Sequence, residues 1–337
     1  MSILLDEVGI VVIGRNEGDR LVRCLSTPER SRVATTVYVD SGSTDGSLAA
    51  AAALGADCVE LDMSVPFTAA RARNAGFERL LQRQPGVRFV QFVDGDCELL
   101  DGWLQTAAQA LDQEPRDAAV CGRLAERFPD ASIYNRLCEM GWNGPPGEID
   151  ACGGNAMYRA RAYEQVGGFS PELIAGEEGD LCLRLRRRGW VIRRLDAEMA
   201  LHDSEMTSFS QWWTRSVRTG FVYAEGVRRH GRGPERYKVR ETRRIWFWGL
   251  LPAIAIGASV PTLGLSLGLL GSYPVSIVRT YAGSRKQGYA PRDAASYSIF
   301  TALGKFPELQ GALRYHLNRA RGRRQELIEY RAKEARE

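Results

Sequence analysis

Val90-Gln91-Phe92-Val93-Asp94-Gly95-Asp96 carries an apolar strand straight into two carboxylates spaced i, i+2. Residues two apart on an extended chain point the same way, so Asp94 and Asp96 can aim at one spot just beyond the strand's end. Two hard oxygen ligands with a flexible Gly between them suit a divalent cation that keeps open positions for a diphosphate. Alone, such a pair is a weak signal, since most are solvated turn residues. The rest of the chain decides how it reads.

Working outward, Val8 to Ile13 is a β-branched run ending at Gly14-Arg15-Asn16-Glu17-Gly18, with a helical pattern after it. Thr36 to Val39 is a second strand that runs into Asp40-Ser41-Gly42-Ser43-Thr44-Asp45-Gly46. Ala49 to Leu54 reads as helix, Cys58 to Leu61 as a third strand, Arg71 to Arg83 as helix, and Phe89 to Val93 as the fourth strand. Strand, loop and helix in repetition, with strands apolar throughout, predict an α/β fold built on a mostly parallel sheet flanked by helices. Ligands of such sheets bind beyond the carboxyl ends of the strands, and three of these strands end there in polar, Gly-containing loops. No G-x-G-x-x-G follows the first strand, which disfavours a dinucleotide-binding dehydrogenase. Farther on, Ala118 to Leu124 reads as a strand, Cys152-Gly153-Gly154-Asn155 as a loop, Glu177 to Arg188 as a helix, and Trp190 to Leu195 as a strand leading to His202.

The composition, 44% hydrophobic and 26% charged over 337 residues, is that of a folded chain with one large core and an appendage. Net charge is only +4, but basic residues crowd the second half, from Arg228 to Arg244 and from Arg314 to Arg324. That asymmetry points to an anionic partner. Nucleic acid is disfavoured, because the Arg clusters lie in no nucleic-acid-binding module. The seven cysteines are scattered and contain no C-x-x-C, which argues against a disulfide framework or zinc site and for a reducing, cytoplasmic setting. Met1 to Gly9 carries Asp6 and Glu7 and no basic n-region, so it does not read as a secretory signal.

From Ile245 to Val278 no charged residue occurs. A spanning helix needs about 20 apolar residues, so the run is too long for one straight span. Pro252, Pro261 and Pro274 break it, and Arg and Lys flank both ends, which puts both ends on the cytoplasmic face. A membrane hairpin, spanning twice or dipping in and returning, is expected; a pair of buried core helices is the alternative. Trp246, Phe247 and Trp248 on one side and Tyr273 and Tyr281 on the other read as an interfacial belt. Leu313 and Leu317, then Leu327 and Tyr330, fall at helical spacing in a basic tail. Amphipathic helices on an anionic leaflet, plain solvated helices and a homo-oligomer contact all remain open for it. The expected division is a catalytic domain over 1–225, a basic juxtamembrane segment over 226–244, the hairpin over 245–278 and the basic helical tail over 279–337.

Together, Val11-Val12-Ile13-Gly14-Arg15-Asn16-Glu17, Val39 to Gly46, Arg71-Ala72-Arg73-Asn74-Ala75-Gly76, Asp94-Gly95-Asp96, Gly153-Gly154-Asn155 and Gly176 to Leu185 resemble glycosyltransferase family 2, inverting enzymes of the GT-A fold. The likeness covers about the first 220 residues, in the family's order. It implies a nucleotide-diphosphate sugar donor and Mg2+ or Mn2+. By that resemblance Asp96 is the favoured metal ligand, Asp94 meets the ribose or supports the metal, and His202 supplies a third metal or diphosphate contact, with a structural histidine the equal alternative. Ile13, Asn16, Glu17 and Asp40 line the nucleoside pocket, a structural role being the alternative for Glu17, and Arg71 reaches the diphosphate, a surface helix arginine being its alternative. A helix N-cap or Asx turn is the competing role for Asp40 and a better one for Asp45. Arg215 and Arg218, in a loose and reordered likeness to the Q-x-x-R-W element of processive polysaccharide synthases, can clamp a phosphate. Trp142, Gly154, Asn155 and Glu177 fall on the acceptor side, Trp142 either stacking on a sugar or packing.

The family usually shows Glu-Asp at the start of the helix read here from Glu177, the Asp taking the acceptor's proton. This chain has Glu177-Glu178, so Glu178 stands at the base position with one carbon more of reach. The expectation is therefore a metal-dependent inverting glycosyltransferase at the cytoplasmic side of the cell membrane, with a lipid-linked acceptor. The rivals are a transferase for a soluble acceptor and a sugar-nucleotide-binding scaffold without turnover.

Overall fold

The computed structural model describes residues 5–323. In chain order its elements are β1 (Val8–Gly14), α1 (Asp19–Leu25), β2 (Thr35–Asp40), α2 (Ser47–Ala53), β3 (Asp57–Glu60), α3 (Ala69–Arg83), β4 (Phe89–Asp94), β5 (Cys97–Leu99), α4 (Trp103–Gln113), β6 (Asp117–Glu126), α5 (Ile133–Trp142), β7 (Gly147–Glu148), β8 (Ala156–Arg159), α6 (Ala160–Gln165), α7 (Glu177–Arg187) and β9 (Val191–His202). Then come five helices, α8 (Phe209–His230), α9 (Val239–Gly257), α10 (Ser272–Lys286), α11 (Pro291–Leu303) and α12 (Lys305–Ala320). The chain divides into two compact units: residues up to 128 with 142–204, and 129–141 with the residues from 205 onward. The sequence places the end of the catalytic domain at 225, which would cut α8, one unbroken helix from Phe209 to His230.

The first unit is the α/β unit. Its strands run β3-β2-β1-β4-β8-β6-β9-β5, with β7 paired to β9. The β3-β2-β1-β4 half is parallel, as the apolar strands predict. Beyond β4 the sheet changes character, because β8 pairs antiparallel with both β4 and β6. Parallel order returns between β6 and β9. One continuous core fills the unit, from Val11, Tyr38 and Phe92 on the parallel strands to Leu104 and Trp103 on α4 and Leu181 and Leu185 on α7. Registry brings Gly14 opposite Asp40 and Ile13 opposite Asp94, so the ends of β2 and β4 flank the end of β1 on one rim.

The second unit is helical. Where α8 and α12 cross, a Cβ on Gly220 would stand 1.8 Å from the Glu308 carbonyl oxygen, and one on Gly311 would stand 1.9 Å from that of Val217. Only glycine lets these backbones approach so closely. A Cβ on Gly249 of α9 would likewise meet the Leu309 side chain at 2.8 Å. The uncharged run folds as a hairpin: α9, a turn through a 3₁₀ segment Leu265–Gly271, then α10. The Tyr273 hydroxyl joins the arms by donating to the Trp248 carbonyl, and Ser266 Oγ ties the 3₁₀ segment to α9 by donating to the Ala255 carbonyl at 2.6 Å. No described helix is long and apolar enough to cross a membrane. The hairpin's far end is exposed and apolar, Leu263 being 94% exposed, with Ile256, Val260 and Leu265 open beside it. Leu313 and Leu317 are exposed on α12, while Leu327 and Tyr330 lie outside the described residues.

Candidate active site

The site gathers on the rim where β1, β2 and β4 end. Asn16, in the left-handed region at φ 54°, joins the first two loops: its backbone N–H donates to Ser43 Oγ at 2.9 Å, and its Oδ1 accepts from the Thr44 N–H at 2.7 Å. Asn tolerates that conformation better than most residues. Ile13 is buried, and its carbonyl accepts from the Gly95 N–H at 2.8 Å, pulling the aspartate turn against β1. Glu17 is buried beside that turn and pairs with Arg20 at 3.2 Å.

Asp40 is buried and turned into its own loop. It accepts from the Tyr38 hydroxyl at 3.0 Å and from the N–H groups of Gly42 and Ser43 at 2.9 and 2.8 Å. This is the Asx-type turn that the sequence favours at Asp45, which also makes one, to the Ser47 N–H at 3.0 Å. A carboxylate has about four acceptor positions, so Asp40 both braces the loop and keeps capacity for one more donor. Arg71 is likewise engaged with its own surroundings: its guanidinium donates to the carbonyls of Asp62, Val65 and Pro66 at 2.7–2.9 Å. It holds the 62–66 loop.

The charge at the centre comes instead from Arg73, to which the sequence reading gives no role. Its side chain is 2% exposed and donates from Nη2 to Asp94 at 2.7 Å and from Nη1 to Glu177 at 2.8 Å, with Glu178 at 3.7 Å. A readable signal existed. Ala70, Arg73, Phe77 and Leu80 share one buried stripe of α3, and a charge inside an apolar stripe needs partners.

Glu177 and Glu178 open α7, where the helix N-terminus favours carboxylates. Glu177 is buried against Arg73, while Glu178 keeps 23% of its side chain exposed. Burial first, then the charge of Glu177, push the Glu178 carboxyl from 4.5 up to about 7, against the pull of Arg73. Asp180 accepts from Ser170 Oγ at 2.7 Å and Arg184 Nε at 2.8 Å, so it holds the helix and its loop.

Asp96 is buried, and its Oδ2 lies 2.9 Å from His202 Nε2. The β5–β9 ladder causes this approach by setting Cys97 opposite His202. Asp96, Cys97 and His202 bring ligand atoms within 4.8 Å of one another. Burial holds the Cys97 thiol well above its ordinary range, so the donors at neutral pH are one carboxylate and one imidazole. That oxygen and nitrogen set fits Mn2+ or Mg2+ better than a thiophilic metal. Asp94, grouped with them on sequence, is drawn to Arg73. Asn155 locks the turn, accepting from the Asp94 N–H at 3.0 Å and donating to Cys97 Sγ at 3.3 Å. Gly154 leaves room for the fork: a Cβ there would lie 2.3 Å from Arg73 Nη2 and 2.8 Å from Asp94 Oδ2. The Trp142 ring lies 4.6 Å from that of His202, tilted by 59°.

The polar loops at the ends of β1 and β2, the Asp96–His202 pair and the Glu178 carboxyl, partly open and raised to about 7, thus belong to one α/β unit. The family model described as Glycosyl transferase family 2 matches residues 9–167. Those residues form a glycosyltransferase family 2 domain. Among solved structures it is similar to the mannosyltransferase PcManGT of Pyrobaculum calidifontis in complex with GDP-Man and Mn2+, with a TM-score of 0.63 and 17% identity over 93% of this chain and 87% of that one. It is also similar to S. aureus TarS, with a TM-score of 0.45 and 14% identity over 90% of this chain and 54% of that one. The first likeness places the glycosyltransferase on the GT-A fold. No curated protein matches it. Arg215 and Arg218 of this glycosyltransferase lie on α8, in the helical unit, where Arg215 Nη1 meets Cys138 Sγ.

Proposed function

We propose that the protein is a metal-dependent, inverting transferase that moves a sugar from a nucleotide diphosphate to a hydroxyl of a lipid-linked acceptor at the cytoplasmic face of a membrane. The observation that carries the chemistry is Glu178: partly exposed, beside Asp94 on the shared Arg73, with a carboxyl near neutrality. A general base works best when its pKa lies near the working pH. Glu178 takes the proton of the acceptor hydroxyl as that oxygen attacks the anomeric carbon. The bond from that carbon to the diphosphate oxygen breaks on the opposite side. Asp96 and His202 would hold Mn2+ or Mg2+, which when bound supplies positive charge to the leaving diphosphate. Asn16 and the Asp40 loop would frame the nucleoside.

Membrane association is supported by the hairpin's exposed apolar end and by Arg240, Arg243 and Arg244 before it and Arg279, Arg285 and Lys286 after it. An exposed apolar surface of this kind, with cations at its base, suits insertion into an anionic leaflet from one side. A chain that carries both a transfer site and a lipid-seeking surface suits an acceptor anchored in lipid. The test is hydrolysis of a panel (GDP-mannose first, since PcManGT was solved with GDP-Man, then UDP-glucose and UDP-N-acetylglucosamine) with Mn2+, by wild type, Asp96→Asn and Glu178→Gln. Both variants should lose turnover and Glu178→Gln should retain donor binding; normal turnover by Glu178→Gln would refute the base assignment.

A further inference from the structure

We infer that Arg73 is the positioning residue of this site: one buried guanidinium that ties Asp94 and Glu177 in place and keeps the Glu178 carboxylate facing the same rim in its charged form. The inference rests on the reading of Glu178 as base.

Three observations carry it. First, the polar partners of Arg73 are all carboxylates: Asp94 from β4 and Glu177 and Glu178 from α7. Another buried arginine of the same unit, Arg159, behaves differently, donating to the backbone carbonyls of Leu111, Glu114 and Asp117 as a structural tie. Second, the guanidinium is fixed on its faces and edge. The Phe169 ring lies 5.3 Å from its carbon, and the missing side chain of Gly154 is what admits its Nη2 next to Asp94. A planar fork held this way joins two elements at set angles, which an ammonium cannot do.

Third, the charges do not balance. One cation faces three carboxylates, so ionising the last of them is disfavoured. Glu178 is the carboxyl raised to about 7, by burial first and then by Glu177, with Arg73 pulling the other way. The groups facing Glu178 are Arg73 from α3, Asp94 from β4, Tyr158 from β8, and Glu177 and Cys182 from its own helix. Tyr158 is held in its neutral form by burial. Arg73 is therefore the cation that favours ionised Glu178, and without it the base stays protonated to higher pH.

The experiment compares full-length wild type with Arg73→Gln and Arg73→Lys. Glu178 is titrated by carboxyl 13C NMR with labelled glutamate, assigned by the signal lost in Glu178→Gln, which needs no donor. Turnover is followed from pH 5.5 to 9 on whichever panel sugar the wild type hydrolyses. Arg73→Gln should raise the Glu178 midpoint by about one pH unit or more and carry the acid limb of turnover with it. Arg73→Lys keeps the charge but loses the fork, so its midpoint should stay near that of the wild type while kcat falls about tenfold or more. An unmoved midpoint in folded Arg73→Gln overturns the inference. So does native turnover in Arg73→Lys, which decides the matter if the Gln variant does not fold. The two readings fail separately: an active Glu178→Gln refutes the base, whereas an inactive Glu178→Gln with an unmoved Arg73→Gln midpoint refutes only the role of Arg73.

Discussion

Replacing Glu178 by Gln should make the protein more stable above pH 7 while removing its activity. The folded chain binds a proton at Glu178 up to about pH 7, whereas the ordinary carboxyl releases it near 4.5. Between those values the folded state holds more protons than the unfolded one, so stability falls as pH rises through that window. Below pH 4.5 both states are protonated and the effect vanishes; above 7 it is complete. The full difference corresponds to about 3 kcal/mol, and the 23% exposure of the side chain lets water screen part of it. A gain of roughly 1–2 kcal/mol at pH 8 is expected for Glu178→Gln, and almost none at pH 5, where the native carboxyl is already neutral. For a unit of this size that is a rise of several degrees in melting temperature. Urea or thermal melts of both proteins at pH 5, 6, 7 and 8.5 measure it directly. Equal stability of the two at pH 8.5, or the same gain at pH 5, would refute the account of how Glu178 is kept near neutrality.

Mn2+ should raise the melting temperature of the wild type without nucleotide, and Asp96→Asn should abolish that rise while Asp94→Asn leaves most of it. Asn155→Ala removes both partners of the aspartate turn and should destabilise the protein by about 1–3 kcal/mol, read from denaturant melts. Gly220→Ala drives a methyl into the Glu308 carbonyl and should destabilise by about 2 kcal/mol or more, seen as an earlier unfolding transition. Leu263→Glu should weaken sedimentation with vesicles of anionic phospholipid by about tenfold or more without altering hydrolysis of a soluble sugar nucleotide.

The parallel half of the sheet was legible because β1, β2 and β4 are apolar throughout and each ends in a Gly-containing polar loop. The antiparallel insertion of β8 was not, because Ala156-Met157-Tyr158-Arg159 is short and its partners, β4 and β6, lie far off in sequence. At the site, the i, i+2 spacing put Asp94 and Asp96 at the end of β4 but could not separate their partners. That depends on β9 delivering His202 to one carboxylate and α3 delivering Arg73 to the other. Arg71 and Arg73 look alike in a motif, and only the helical stripe distinguishes the buried one from the one that holds a loop. For the uncharged run, the hairpin was visible in the prolines, but arm length was not: Pro252 lies inside α9, whereas the turn falls farther on.

The three glycines around α12 make that helix the keystone of the helical unit. Because α8 touches it backbone to backbone and α9 leans on it through Gly249, neither partner can slide along it without steric collision. The root of the hairpin is therefore rigid while its apolar end makes few demands on the interior. Exposed positions such as Ile256, Val260, Leu263 and Leu265 are free to drift among apolar types without disturbing that root, but a chain ending before Lys305 would lose the seat on which both helices rest.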